Sequence, residues 1–258
     1  MKPESAQKVW ITGASSGLGL ALATRYAEQG ATLGLIARRG ELLEAFRARH
    51  PALDIAVYAL DVRDHAALAD AARDFMVRFG CPDIVIANAG ISAGSVTGRG
   101  DLDVFREIMD INYLSTIATF EPFIAPMTER RHGMLVGITS VAGVRGMPGA
   151  GAYSASKAAA TRYLESLRVE LRAAGVDVVT IAPGYVRTPM TARNDYPRPF
   201  IIEPDVFARR AVRAIARKSR FSVIPWPMAI VSVLLHVLPR WLYDLAFERA
   251  PRKKRAAD

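Results

Sequence analysis

From residue 8 to about residue 182, short apolar runs alternate with longer stretches whose apolar positions recur every three to four residues. The runs at 9–12, 32–37, 55–60, 84–88, 134–139 and 176–182 predict strands. The stretches at 17–29, 41–49, 65–79, 104–130 and 152–174 predict the helices between them. The strands lack a polar face, as expected where a parallel sheet is covered on both sides. Gly30, Gly80 and Gly175 stand where a left-handed C-cap would close a helix. Repeated strand–helix–strand units imply right-handed crossovers and a doubly wound sheet. Past Pro183 the pattern loosens: a Pro-rich loop at 196–204, a helix at 205–218, a strand at 221–224, and two short apolar helices at 227–238 and 240–249.

Composition narrows this picture. At 258 residues and 51% apolar, the chain suits one large α/β domain. The single cysteine, Cys81, excludes an intramolecular disulfide and points to a reducing cytoplasm. It precedes Pro82 in a helix-to-strand turn and reads as a packing residue. The polar first eight residues do not form a signal peptide pattern, so a cytoplasmic chain is expected, with the inner face of a membrane as an alternative. The net charge of +9 concentrates at 209–220 and 249–255. No zinc-finger spacing or nucleic-acid module accompanies it, so no nucleic-acid partner is expected. Cofactor phosphates and an anionic membrane are the remaining candidates. His50, His65, His132 and His236 are scattered, and no metal is expected.

The first predicted strand runs into Thr12-Gly13-Ala14-Ser15-Ser16-Gly17-Leu18-Gly19. Glycine lets backbone and pyrophosphate approach closely, and the helix that follows offers unpaired N–H groups to phosphates. The fold class is therefore a Rossmann-type doubly wound parallel sheet of about seven strands with a C-terminal apolar helical extension. Its domain limits are expected at 1–225, including a substrate loop at 189–204, with apolar helices and a basic tail at 226–258. The spacing G-x-x-x-G-x-G resembles the first motif of the short-chain dehydrogenase/reductase family. The second strand ends Ala37-Arg38-Arg39, where an acid would bind the 2′-hydroxyl of NAD and an arginine the 2′-phosphate of NADP. NADP(H) is thus the expected cofactor, with Arg38 favoured over Arg39 and Ser15 assisting.

The resemblance implies further cofactor contacts. Asp61-Val62 is similar to the family's adenine-binding pair, Asn88-Ala89-Gly90 to its ribose-side motif, and Pro183-Gly184, with Val186 and Thr188, to its nicotinamide-side segment.

Tyr153 and Lys157 lie four apart on a predicted helix and share a face. An ammonium beside a phenol favours the phenolate, so Tyr153 is expected to be pulled below ~10 and to act as general acid and base. By resemblance, Ser140 holds the substrate oxygen, Asn112 anchors a water that links to Lys157, and Lys157 grips the nicotinamide ribose. These residues occur in family order, and the similarity spans about 8–191. It implies an NADP(H)-dependent oxidoreductase interconverting a carbonyl and an alcohol, and a homodimer or homotetramer built through the helices bearing Asn112 and Tyr153.

Val141, Ala142, Met147, Tyr185 and the 190–200 loop are the expected substrate lining, with Arg145, Arg193 and Asp195 nearby; a lipophilic substrate is expected. Residues 221–239 carry no Asp, Glu, Lys or Arg, yet prolines at 225, 227 and 239 leave no run long enough to span a bilayer. A lid, a dimer contact and a peripheral membrane contact through 226–258 all remain open. Arg249, Arg252, Lys253, Lys254 and Arg255 suit the last. Two other classes compete with the enzyme: a cofactor-binding sensor without catalysis, and a membrane-surface scaffold. An intact Tyr/Lys/Ser/Asn set argues for turnover.

Overall fold

The computed structural model describes residues 6–192, 197–250, Lys253 and Arg255. Seven parallel strands form one sheet: β1 (Lys8–Thr12), β2 (Thr32–Ala37), β3 (Ile55–Ala59), β4 (Ile84–Ala87), β5 (Gly133–Ile138), β6 (Val176–Pro183) and β7 (Phe221–Ile224). Their order is β3-β2-β1-β4-β5-β6-β7. The chain winds outward one way from β1 to β3, then returns to β4 and winds the other way. That reversal opens a crevice beyond the ends of β1 and β4.

Side chains alternate across each strand, so each strand feeds two cores. Ile11, Leu33, Ile86, Val136 and Ile181 face Leu22 and Tyr26 of α1 (Gly17–Ala27). Phe207 and Ile215 of α8 (Pro204–Ala216) close the same side. On the opposite face Trp10, Val85, Leu135 and Val178 pack on α3 (His65–Phe79), α5 (Ser115–Glu129) and α6 (Gly151–Glu170). Gly34 makes room there: a Cβ would stand 2.5 Å from the Trp10 ring.

Every strand and long helix expected from the periodicity is present, with ends moved by a few residues. The 104–130 stretch is not one regular helix. It comprises α4 (Leu102–Met109), a π-helical turn (Asp110–Leu114) and α5. The helix expected at 152–174 stops at Glu170, and turns lead into β6. The expected loop at 189–204 contains a short helix, α7 (Pro189–Ala192). Of the residues expected around it, Arg193, Asp195 and Tyr196 lie outside the described residues, as do Arg252 and Lys254 of the basic tail. α2 (Gly40–Ala48) completes the layer between β2 and β3.

After β7 come α9 (Pro227–Val237) and α10 (Arg240–Phe247), bent against each other by 118°. Among the described residues no single helix is long and apolar enough to cross a membrane.

Candidate active site

The crevice at the strand ends is a cleft of about 520 Å³. Its floor is the turn between β1 and α1. Gly13 has φ +70, and a Cβ on it would lie 2.9 Å from Ala89 Cα. Gly19 does not line the cleft. A Cβ there would meet the Gly13 carbonyl at 2.2 Å, so its role is to let α1 sit against the turn. Asn88 ties the end of β4 to this turn: its Nδ2 donates to Thr12 O at 2.9 Å, and its N–H donates to Thr12 Oγ1 at 3.1 Å. Ser15, Ser16, Gly17 and Leu18 present the start of α1 to the cleft, and Ser16 leaves that helix without a side-chain cap. Exposed helix N–H groups beside two hydroxyls are a donor set that fits a dinucleotide's pyrophosphate.

At the far end of the cleft the two arginines differ. Arg39 Nη2 donates to Ser16 Oγ at 2.7 Å and Ser15 Oγ at 3.1 Å, while Arg38 leans to Asp61 at 3.9 Å. Ser15, expected to assist Arg38 at a 2′-phosphate, is here hydrogen-bonded to Arg39, and both arginines line the cleft. The reason is reach: Arg39 precedes α2 and folds back over the glycine turn. Asp61 and buried Val62 line the cleft too. The Asp61 carboxylate accepts from Arg63 Nη2 at 2.7 Å, and this hydrogen bond holds it below the usual carboxylate range.

At the near end, Ser140, Tyr153 and Lys157 all line the cleft, with Asn88, Ala89 and Gly90 facing them. Ser140 leaves β5 as an N-cap, its Oγ accepting from Ala142 N at 3.1 Å. Lys157 is buried and donates to Ile138 O at 3.0 Å. The expectation that this ammonium draws the phenol down is not met. Burial pushes the Tyr153 phenol up; a hydrogen bond with Ser140 pulls the other way and nearby Tyr185 adds to the rise. Burial also lowers the Lys157 amine to about 8. Desolvation penalises the charged form of both groups, and it is the leading cause of both shifts.

Asn112 sits one layer behind, fully buried in the π turn. Its Oδ1 accepts from Ile91 N at 2.8 Å, and its Nδ2 donates to Ile91 O at 3.0 Å and Ser156 Oγ at 2.9 Å. A Cβ on Gly90 would lie 3.1 Å from Asn112 Oδ1 and 3.4 Å from Lys157 Nζ, so glycine there keeps the amide and amine close behind the cleft wall. Pro183 and Gly184 end β6 on the other wall. Val186 pairs with Ile202, and Thr188 touches the turn, 3.4 Å from where a Gly17 Cβ would be.

On the substrate side, Val141 is buried, and Ala142, Met147 and Tyr185 are half-buried. The loop after β5 is fastened to α10: Tyr243 donates to Gly146 O at 2.7 Å, and Arg145 lies over its ring at 4.4 Å. The tail also returns to this site. Lys253 Nζ donates to Ser92 Oγ at 2.6 Å and lies 5.9 Å from the Tyr153 ring centre. Arg255 grips Asp101 at 2.6 and 3.0 Å and donates to Arg99 O. Ser92, Asp101 and Tyr243 were not anticipated as neighbours of the site; nothing in their spacing marks them. Among the described residues no three metal-ligating side chains cluster.

Comparison with known proteins agrees with this geometry. A family model described as short chain dehydrogenase matches residues 7–198. An uncharacterized oxidoreductase of Myxococcus xanthus is 37% identical, covering 96% of this chain and 99% of its own. A Thermococcus sibiricus alcohol dehydrogenase solved with 5-hydroxy-NADP superposes with TM-score 0.76 at 26% identity, over 85% of this chain and 96% of that one. A Burkholderia phymatum short chain dehydrogenase/reductase solved with NAD gives TM-score 0.83 at 22% identity, over 99% and 100%, which shows the shared fold.

Proposed function

The chain belongs to the short-chain dehydrogenase/reductase family and is an oxidoreductase using a nicotinamide cofactor, and on that premise we propose that it interconverts a lipophilic ketone or aldehyde and its alcohol with NADP(H). A bound nicotinamide supplies or takes up the hydride. The observation that carries the reading is the convergence of Ser140, Tyr153 and Lys157 on the cleft that the glycine turn and α1 open. Ser140 and Tyr153 hold the substrate oxygen between two hydroxyls. In reduction the Tyr153 phenol gives its proton to the developing alkoxide; in oxidation the phenolate takes it. Lys157 holds the cofactor ribose and restores charge behind the phenol, and Asn112 fixes the wall behind both.

Arg39, braced by Ser15 and Ser16, and Arg38 beside it support the choice of NADP. Gly13, Gly17, Leu18, Asp61, Val62, Asn88, Ala89, Gly90, Pro183, Gly184, Val186 and Thr188 complete the cofactor cradle, with Gly19 shaping it from behind. Met190 of the expected substrate loop lines the cleft and supports a lipophilic substrate, whereas Val141, Ala142, Met147 and Tyr185 are not part of its lining. Leu114 and Val169, exposed on the helical layer bearing the site, support a homo-oligomer. Exposed Trp226 and Trp241 support a peripheral membrane contact through the C-terminal helices.

The test is NADPH oxidation with a panel of aldehydes and ketones. Tyr153→Phe is expected to lose about a hundred- to ten-thousandfold in kcat, while NADPH still binds by fluorescence. Arg39→Gln is expected to cut the NADPH-to-NADH ratio of kcat/KM by about tenfold. NADPH binding without turnover across the panel would favour a cofactor-sensing role instead.

A further inference from the structure

A second cavity, also of about 520 Å³, lies between α6, β7 and α9. Arg162, Arg168 and Arg220 line it together with Glu165 and His236. Arg162 is engaged by Glu165 at 2.5 Å. Arg168 and Arg220 have no side-chain hydrogen bond or ion pair among the described residues. Two unspent guanidiniums facing one cavity, with the hydroxyls of Thr161 and Ser232 beside them, are a donor set for an oxyanion.

The neighbouring surface says which oxyanion. Val233 of α9 lines the cavity and is also 61% exposed. It begins an outward apolar face that continues through Leu234 and Val237 to Trp241 and Leu245. Residues 209–255 hold twelve Lys and Arg against two Asp and Glu, a net +10 where the whole chain carries +9, so the rest of the chain is close to neutral. An isologous contact with a second copy would set this basic region against itself. A negatively charged lipid surface matches both properties at once.

We propose that this cavity holds the phosphate of an anionic phospholipid, whose acyl chains lie along the exposed face of α9 and α10. The inference rests on the membrane contact proposed above and adds its lipid class and headgroup site. Arg168 and Arg220 receive the phosphate, and Trp226 and Trp241 sit at the depth of the headgroups; Ser140 lines both this cavity and the cofactor cleft, so the headgroup site adjoins the catalytic side.

Co-sedimentation of the full chain with vesicles tests it. The vesicles are phosphatidylcholine alone, or with about a third phosphatidylglycerol. The expected result is binding at least about tenfold stronger to the anionic vesicles, reversed at ~0.5 M salt. Arg168→Gln with Arg220→Gln is expected to remove most of that selectivity, with an unchanged melting temperature showing an intact fold. Equal binding to both vesicle types, or selectivity unaffected by the double substitution, would overturn the headgroup site while leaving the membrane contact standing. No binding to either overturns both. Inorganic phosphate raising the melting temperature through Arg168 and Arg220, without vesicle binding, would assign the cavity to a free anion. A concentration-dependent dimer lost in Val233→Glu would assign the apolar face to a second copy.

Discussion

Lys157 is the residue whose surroundings decide most. Its amine is buried against the Ile138 carbonyl and brought to about 8. The unfolded chain would keep the ordinary value near 10.5. Between those values the unfolded state binds a proton that the folded state has released, so stability rises with pH across that window. Below about 8 the full cost of burying the ammonium is present. Lys157→Met should therefore stabilise the protein at pH 7 by about 1–3 kcal/mol, reduced by the donor lost to Ile138 O, and the gain should shrink at pH 10. Urea unfolding at the two pH values measures this. Activity should move the other way. The raised phenol is protonated at neutral pH, which suits carbonyl reduction. Reduction should then decline above pH ~8 as Lys157 loses its charge, while alcohol oxidation, which needs the phenolate, should rise only beyond the phenol's ordinary value of ~10. Matched pH profiles in the two directions check the assignment.

At the scale of elements, the π turn is what brings Asn112 to the site. One residue inserted into the helical register lets its amide clamp Ile91 and reach Ser156 on α6. Asn112→Ala would strand a buried backbone N–H and C=O of the segment following β4. We expect a loss of about 2–4 kcal/mol in chemical denaturation and a parallel fall in kcat. A substitution to Asp should restore the acceptor towards Ile91 N but not the donor, and so recover part of the loss. The same turn shows where sequence reading stops. Apolar spacing through 104–130 continues across it, so the stretch reads as one helix; only the backbone pairing reveals the extra residue. The strand–helix alternation, the glycine turn and the Tyr153–Lys157 spacing were legible because each depends on residue type at short range. Which arginine braces against Ser15 and Ser16 was not, because it turns on which side chain folds back over the glycine turn. The direction of the Tyr153 shift was also hidden, since spacing places the amine on the same helix face but does not reveal how deeply the phenol is buried.

Across the whole molecule, Lys253 and Arg255 return to the catalytic side. The basic residues after α10 suit an anionic membrane surface when read from sequence. In the structure Lys253 reaches Ser92, and Arg255 bridges to Gly94 and closes on Asp101, more than 150 positions earlier. Asp101 is itself buried and accepts from Val96 N at 2.9 Å, so the clasp joins the chain end to the loop beside Tyr153. Arg255 holds this carboxyl down at about 2. A carboxyl lowered in the folded state contributes stability above its ordinary value near 3.8, and that contribution fades as pH falls towards 2. The clasp should thus remain closed throughout the neutral and mildly acidic range. Asp101→Asn removes its charge at every pH. Trypsin should then cut after Lys253 and Arg255 several times faster than in the parent protein, on the order of fivefold, because cleavage follows the open population when closing is fast. The difference should persist at pH 6, where the parent clasp is still charged. If both proteins are cut at the same rate, the tail is not held over the site, and Lys253 has no fixed place beside the catalytic ring.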